Sequence, residues 1–366
     1  MGPSLVVVYH VQSTAAAIEA RARAIAIEQS VEMPVEAIAD PHVLADIVGR
    51  VDGIEDIGGG EFRVRIRLAA ATTGFEAGQL LNMLFGNTSI HSDVALVDFE
   101  LPGQFADRFG GPRHGVAGLR HRVGAGHRAL TCSALKPQGL PPTALALLAE
   151  RLALGGLDFI KDDHGLADQD YSPFAARVAA VAAAVNAANA VTGGATRYAP
   201  SLSGDLDHLR RQVAVARDNG VDTLLAAPMI LGLPAFVALV AENPDMAFIT
   251  HPAMAGATAI APPLLLGRLF RLLGADATVF PNHGGRFGYS PSVCRDLAAA
   301  ARDPWLGLPG CLPVPAGGMT IRRVPEMLDF YGPDVMLLVG GNLLAAGPGL
   351  TDETATFVRT VRQHGY

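Results

Sequence analysis

The stretch ALTCSALKPQGLPPTALALLAERLALGGLDFIKDD (129–163) decides the fold. It holds two apolar runs, ALTCSALK and LDFIKDD, separated by an Ala/Leu-rich segment that opens at Pro141-Pro142 and closes at Gly155-Gly156, the punctuation of a helix. Each run stays largely apolar until its polar end, as a strand covered on both faces does, and strands joined through a helix lie parallel. The same unit recurs to the C-terminus. TRYAPSLS, VDTLLAAP, MAFITHPA, ATVFPN, CLPVPAGG and VMLLVGG follow in turn. Eight such units predict a closed (β/α)8 barrel over residues 121–366, with its chemistry where the strands end. The polar and glycine residues at those ends are Lys136, Lys161-Asp162-Asp163-His164, Ser201, His251, Asn282-His283, Gly317-Gly318 and Gly340-Gly341-Asn342.

The first part of the chain follows a different period. EFRVRIRLA (61–69) alternates Phe62, Val64, Ile66 and Leu68 with Arg63, Arg65 and Arg67, which predicts a sheet with one solvated face. Strands at 4–10 and 94–100, helices at 14–28 and 76–85, and a turn at IGGG (57–60) complete a β-α-β-β-α-β order. A ferredoxin-like α+β domain over residues 1–120 is therefore expected. Residues 224–241 carry no charge, but Pro228, Gly232 and Pro234 divide them into strand, turn and helix, so they read as buried core and not as a membrane span. A net charge of −7 with no basic cluster argues against nucleic acid or an anionic membrane as partner. Cys132, Cys294 and Cys311 have no metal-ligand spacing and suit a reducing compartment. The start, MGPSLVVVYHVQS, lacks the charged segment of an export signal, and a cytoplasmic location is expected.

Of the 28 basic residues only Lys136 and Lys161 are lysines. Arginine supplies surface charge and salt bridges as well as lysine does, but it keeps its proton and offers no free amine. Both lysines stand where an apolar strand hands over to a loop, a matched placement that points to chemistry.

The segment GGLDFIKDDHGL (155–166) closely resembles the activation-site motif GGxDFxKDDE of the ribulose-bisphosphate carboxylase large-chain superfamily. CSALKPQGL (132–140), LFGNTS (84–89), GPRHGV (111–116), THPAMAGA (250–257), PAGGM (315–319) and LVGGN (338–342) resemble further family segments, in the family's order and over nearly the whole chain. The resemblance implies that Lys161 is carbamylated by carbon dioxide and joins Asp163 on a magnesium ion, with His164 at the place of the family's third ligand. It implies that Lys136 moves the proton next to a substrate carbonyl, through an enediolate, and that His251 acts on or orients the substrate. Gly317, Gly318, Gly340 and Gly341 would bind phosphate through backbone N–H groups, so the substrate would be a phosphorylated sugar. Asn87, and more weakly Glu28, would reach the active site of a second copy in a homodimer.

Several residues depart from the carboxylase. The sixth loop, FPNHGGRFGYS (280–290), has no lysine to hold an incoming carboxylate, Gln138 replaces the second lysine of the family's K-P-K, and Pro252 replaces an arginine. The sequence also stops soon after the eighth run. These features resemble the carboxylase-like branch, which enolises without fixing carbon dioxide. Imidazole is a poor magnesium ligand, so His164 is open to three roles: a site with more water, a softer ion such as manganese, or proton transfer. Asp162 is expected to face the other side of its strand in a structural role. Asn282 is expected to face inward, His283 and Arg286 to lie on a loop that closes over substrate or is merely solvated, and Met229, Met254, Phe280 and Phe287 to line a thioether-friendly wall or simply to pack. The expected activity is 5-methylthioribulose 1-phosphate isomerisation in sulfur salvage. The alternatives are 2,3-diketo-5-methylthiopentyl-1-phosphate enolase, a decarboxylase or carbon–carbon hydrolase of a 3-oxo sugar-acid phosphate of the 3-oxo-isoapionate 4-phosphate type, and a non-catalytic scaffold.

Overall fold

The computed structural model describes residues 2–285 and 288–365. The chain divides into two compact units, Met1–Gly110 with Met254–Leu265, and Gly111–Ala253 with Leu266–Tyr366. The division thus falls at Gly110 instead of near residue 120, and a short segment from the second half of the chain groups with the first unit.

In the first unit, β1 (Ser4–Gln12), β2 (Arg50–Gly58), β3 (Glu61–Ala69) and β4 (Val94–Glu100) form an antiparallel sheet in the order β2-β3-β1-β4, with helices Ile18–Glu28 and Ala77–Phe85. This is the ferredoxin-like arrangement that the alternation in β3 required. Val7 lies opposite Ile66 and Tyr9 opposite Val64, all fully buried. On the other face Arg63, Arg65 and Arg67 pair with Glu55, Glu100 and Asp52. The Tyr9 hydroxyl donates to the Leu84 carbonyl at 2.6 Å and ties the second helix to the sheet. The free edge of β4 is covered: Leu96 N–H donates to Ala259 and Ala261 N–H donates to Leu96, each at 2.9 Å. Those bonds explain why Met254–Leu265 belongs to this unit, since an open edge would leave main-chain groups unpaired.

The second unit contains β5 (Leu130–Leu135), β6 (Phe159–Asp162), β7 (Arg197–Ala199), β8 (Thr223–Ala226), β9 (Ala247–Thr250), β10 (Ala277–Pro281), β11 (Leu312–Ala316) and β12 (Met336–Leu338). Each of the eight runs holds one strand. The strands form parallel ribbons β12-β5-β6-β7 and β8-β9-β10-β11. The ribbons join where Leu225 N–H donates to Pro200 and Leu202 N–H donates to Leu225, and where β11 and β12 adjoin. Cys132, Phe159, Ile249, Val279 and Val314 fill the barrel, and Leu119 of helix Gly115–Arg122 packs on the same cluster. The buried Asp276 carboxylate accepts from the N–H groups of His114, Gly115 and Phe248, anchoring the entry segment to the barrel.

Among the described residues one helix, Phe174–Thr192, is long and apolar enough to cross a membrane by length and composition. It buries Arg177, Val178, Val181 and Val185, and Arg177 pairs with Asp162 of β6, so the helix serves as a cover of the barrel. Residues 224–241 divide as their prolines and glycine dictate, into β8, helix Pro228–Leu231 and helix Leu233–Glu242 about Gly232.

Truncating a fully buried ring that fills the barrel leaves a cavity. Phe159→Ala is expected to cost about 3–5 kcal/mol in urea unfolding, whereas Ile90→Ala, at a site 82% exposed, should stay within about 0.5 kcal/mol of the unchanged protein.

Candidate active site

Successive residues of a strand face opposite sides. Phe159 points into the barrel core, so Lys161 and then Asp163 leave β6 on that same inward side. Cys132 sets the phase of β5 for Lys136, and Ile249 that of β9 for His251. Five candidate residues meet at these strand ends. Lys136 Nζ lies 3.0 Å from Asp163 Oδ2, and His164 Nδ1 lies 3.1 Å from Asp163 Oδ1. The His164 ring stacks on His251 with centroids 4.0 Å apart and planes 10° off parallel. Lys161 is 3% exposed, and its Nζ donates to the Asp162 carbonyl at 2.9 Å.

Burial alone would raise the Asp163 carboxyl, but hydrogen bonds from His164 and Lys136 and the charges of Lys136 and Lys161 hold it well below the usual carboxylate range. Burial pushes the Lys161 amine down, with help from the Lys136 charge and against the pull of Cys132, Asp163 and Asp162. His251 is pushed far below an ordinary imidazole by burial and by the charges of Lys161 and His164. Ala253 N–H donates to His251 Nδ1 at 3.1 Å, which puts the proton of the neutral ring on Nε2. His251 can therefore offer a hydrogen bond into the mouth without carrying charge. Among the described residues no three His, Cys, Asp or Glu side chains are grouped to hold a cation. Asp163 and His164 provide two donors, and Lys161 could provide a third as an oxygen ligand only after addition of carbon dioxide.

Asp162 faces away from the mouth. It is fully buried and accepts from Arg177 Nε (3.0 Å), the Tyr198 hydroxyl (2.7 Å) and Ser201 N–H (3.1 Å). At the ends of β11 and β12, Gly317 and Gly318 adopt left-handed φ of 85° and 69°, which only glycine takes without strain. The N–H groups of Gly317, Gly318, Gly340 and Gly341 donate to no acceptor among the described residues, and Asn342 Nδ2 bonds the Met319 carbonyl at 2.9 Å to join the two loops. Asn87 lies in the first unit, where its Nδ2 donates to Glu28 Oε1 at 2.8 Å.

Some expectations fail on strand phase. Val279 faces the core, so Asn282, three residues on, lies on the outer side: it is fully buried, accepts from the Tyr331 hydroxyl at 2.6 Å, and has its Nδ2 within 3.0 Å of the Met319 and Met327 sulfurs. Phe280 packs outward, edge-on to Tyr331, which is the plain-packing alternative of the two expected for it. Met254 belongs to the other unit and is 59% exposed, while Met229 is half-buried on helix Pro228–Leu231. Arg286 and Phe287 lie outside the described residues, and the His283 ring lies 4.6 Å from that of Phe330, tilted by 51°. Sequence reasoning missed that Gln138 lies against Gly165, where a Cβ would overlap its Nε2. The glycine directly after KDDH was the available signal.

The family model for the ribulose bisphosphate carboxylase large chain, catalytic domain, matches residues 115–288. The chain is 62% identical to the 5-methylthioribulose-1-phosphate isomerase of Rhodospirillum rubrum, over 96% of this chain and 95% of that protein. It is 34% identical to the 2,3-diketo-5-methylthiopentyl-1-phosphate enolase of Geobacillus thermodenitrificans, over 81% of this chain and 76% of that one. The crystal structure of the Rubisco-like protein from Rhodopseudomonas palustris superposes with a TM-score of 0.94 at 56% identity, covering 100% of this chain and 99% of that one.

With two lysines at unequal depth, chemical labelling reads the site directly. Mild acylation of the folded protein is expected to modify Lys136, whose side chain is 40% exposed, and to spare Lys161. In urea both should react. Equal labelling of both in the folded protein, by peptide mass mapping, would contradict this geometry.

Proposed function

Because the chain belongs to the ribulose bisphosphate carboxylase large-chain family, among its Rubisco-like members, we propose that it is an isomerase of 5-methylthioribulose 1-phosphate in sulfur salvage. The observation that carries this reading is the convergence of the only two lysines of the chain on one carboxylate, Asp163, in the barrel mouth. The 62% identity to an isomerase of that substrate supports the choice.

Lys136, at the exposed side of the site, takes the proton next to the substrate carbonyl and returns it at a neighbouring carbon. His251 donates its Nε2 proton in a hydrogen bond to a substrate oxygen. The N–H groups of Gly317, Gly318, Gly340 and Gly341, which have no acceptor among the described residues, receive the phosphate. Lys161, Asp163 and His164 would hold a magnesium ion. Only an uncharged amine attacks carbon dioxide, forming a carbamate and releasing one proton, so the burial that drives Lys161 toward the neutral form favours that modification. The carbamate and Asp163 are the hard oxygen donors that magnesium requires, while His164 is its weaker partner and suits manganese better. When bound, the ion would draw charge from adjacent substrate oxygens and acidify the C–H bond between them. With no lysine beyond these two, carboxylation is not part of the reaction. The working protein is a cytoplasmic homodimer in which Asn87 and Glu28 are offered to the active site of the second copy.

The test is phosphorus NMR and deuterium exchange with 5-methylthioribulose 1-phosphate in heavy water containing magnesium and bicarbonate. A new phosphorylated product is expected, lost in Lys136→Arg and in Lys161→Arg. Turnover of 2,3-diketo-5-methylthiopentyl 1-phosphate alone would establish the enolase, which the 34% identical relative makes the second reading. No exchange with either compound would overturn both and bring 3-oxo sugar-acid phosphates forward.

A further inference from the structure

Arg177 is fully buried on helix Phe174–Thr192, behind the strand that carries the two mouth residues Lys161 and Asp163. Its three nitrogens point in three directions. Nε donates to Asp162 Oδ2 at 3.0 Å, Nη1 to the Ser172 carbonyl at 2.6 Å and Nη2 to the Ala167 carbonyl at 2.7 Å. One guanidinium therefore holds the end of β6 and two later points of the loop that leaves it. Gln169 stitches the same loop internally, donating to the Gly165 carbonyl at 2.8 Å and accepting from Ala167 N–H at 2.9 Å. Tyr198 and Ser201 N–H complete the shell of Asp162.

We propose that Arg177 is a positioning residue for the cation site, an inference that rests on the metal reading given above. Asp162 lies between Lys161 and Asp163 in the chain, and its carbonyl accepts from Lys161 Nζ. Whatever holds the Asp162 carboxylate on the outer side of the strand holds Lys161 and Asp163 on the inner side. Charge acts in the same direction. A carbamate on Lys161 adds an anion beside Asp163, and a third, uncompensated anion at Asp162 would oppose it. Arg177 cancels that charge within a fully buried ion pair. A lysine would keep the charge but lose the planar fork that reaches three acceptors.

Among the described residues a second arginine, Arg271, is also fully buried and provides a matched control. Arg271 donates to the carbonyls of Ala300, Asp303, Leu308 and Pro309, and none of these is a candidate site residue. Manganese binding, followed by electron paramagnetic resonance with bicarbonate present, is to be compared in the unchanged protein, Arg177→Lys and Arg271→Lys, with urea unfolding alongside. Arg177→Lys is expected to bind manganese about 10- to 100-fold more weakly, and Arg271→Lys to bind as the unchanged protein does even where it loses as much stability. Unchanged affinity in Arg177→Lys, or an equal loss in Arg271→Lys, would reduce Arg177 to ordinary packing and overturn the proposal. If Arg177→Lys does not fold, the double variant Asp162→Asn/Arg177→Met removes both buried charges together, the form of replacement that folds tolerate. It should fold and still bind weakly, and full affinity there would also overturn the proposal. Absence of bicarbonate-dependent binding in the unchanged protein would instead defeat the cation reading itself.

Discussion

The two-residue alternation at the end of β6 is the constraint from which the rest of the site follows. Four consecutive residues, Ile160 to Asp163, leave a short strand and must divide between two environments. Lys161 and Asp163 enter the mouth, while Asp162 enters a fully buried shell with Arg177 and Tyr198. A shift of one residue would exchange the two sets and bury the chemistry beneath a helix. The buried ion pair on the outer side is thus inseparable from the polar cluster on the inner side.

Charge is distributed by residue type. Arginine does the structural work: Arg128 clasps Asp158 through two bonds of 2.7 Å, Arg120 pairs with Asp334, and Arg271 caps four carbonyls. Its delocalised, planar cation meets fixed acceptors without ever losing its proton. The two lysines stand together at the barrel mouth, where the proposed function needs an amine that can change state. One is buried and driven toward its neutral form, while the other stays half-open beside the carboxylate they share. The stacked pair of His164 and His251 then closes the cluster over Asp163.

Most of the architecture was legible because it is written in local patterns. Eight apolar runs with helical spacers specify eight parallel strands, and the arginine alternation of β3 specifies a half-solvated sheet. The carboxylase-like motif brought Lys136, Lys161, Asp163, His164 and His251 together on paper, and the fold assembles them at the ends of β5, β6 and β9. Asn282 was misread, and Phe280 was left open between wall and plain packing, because a short apolar strand does not reveal its phase. Both faces of such a strand are buried, so an inward and an outward residue look alike until the neighbouring helix is known. The assignment of Met254–Leu265 to the first unit was equally hidden, since it depends on two main-chain bonds to Leu96.

The sequence by itself determined the element order and the two-part organisation and singled out the candidate reactive groups, because periodicity, turn residues and the scarcity of lysine are properties of the linear chain. Only the tertiary structure decided which side of each strand faces the mouth, that Ala253 N–H sets the tautomer of His251, that the Gln138 amide lies against Gly165, and that Arg177 holds Asp162 from behind. The physical reason is the same in each case. These are contacts between residues from different turns of the barrel, or between a side chain and a bent backbone, and no local pattern encodes the direction in which a buried polar group will find its partner.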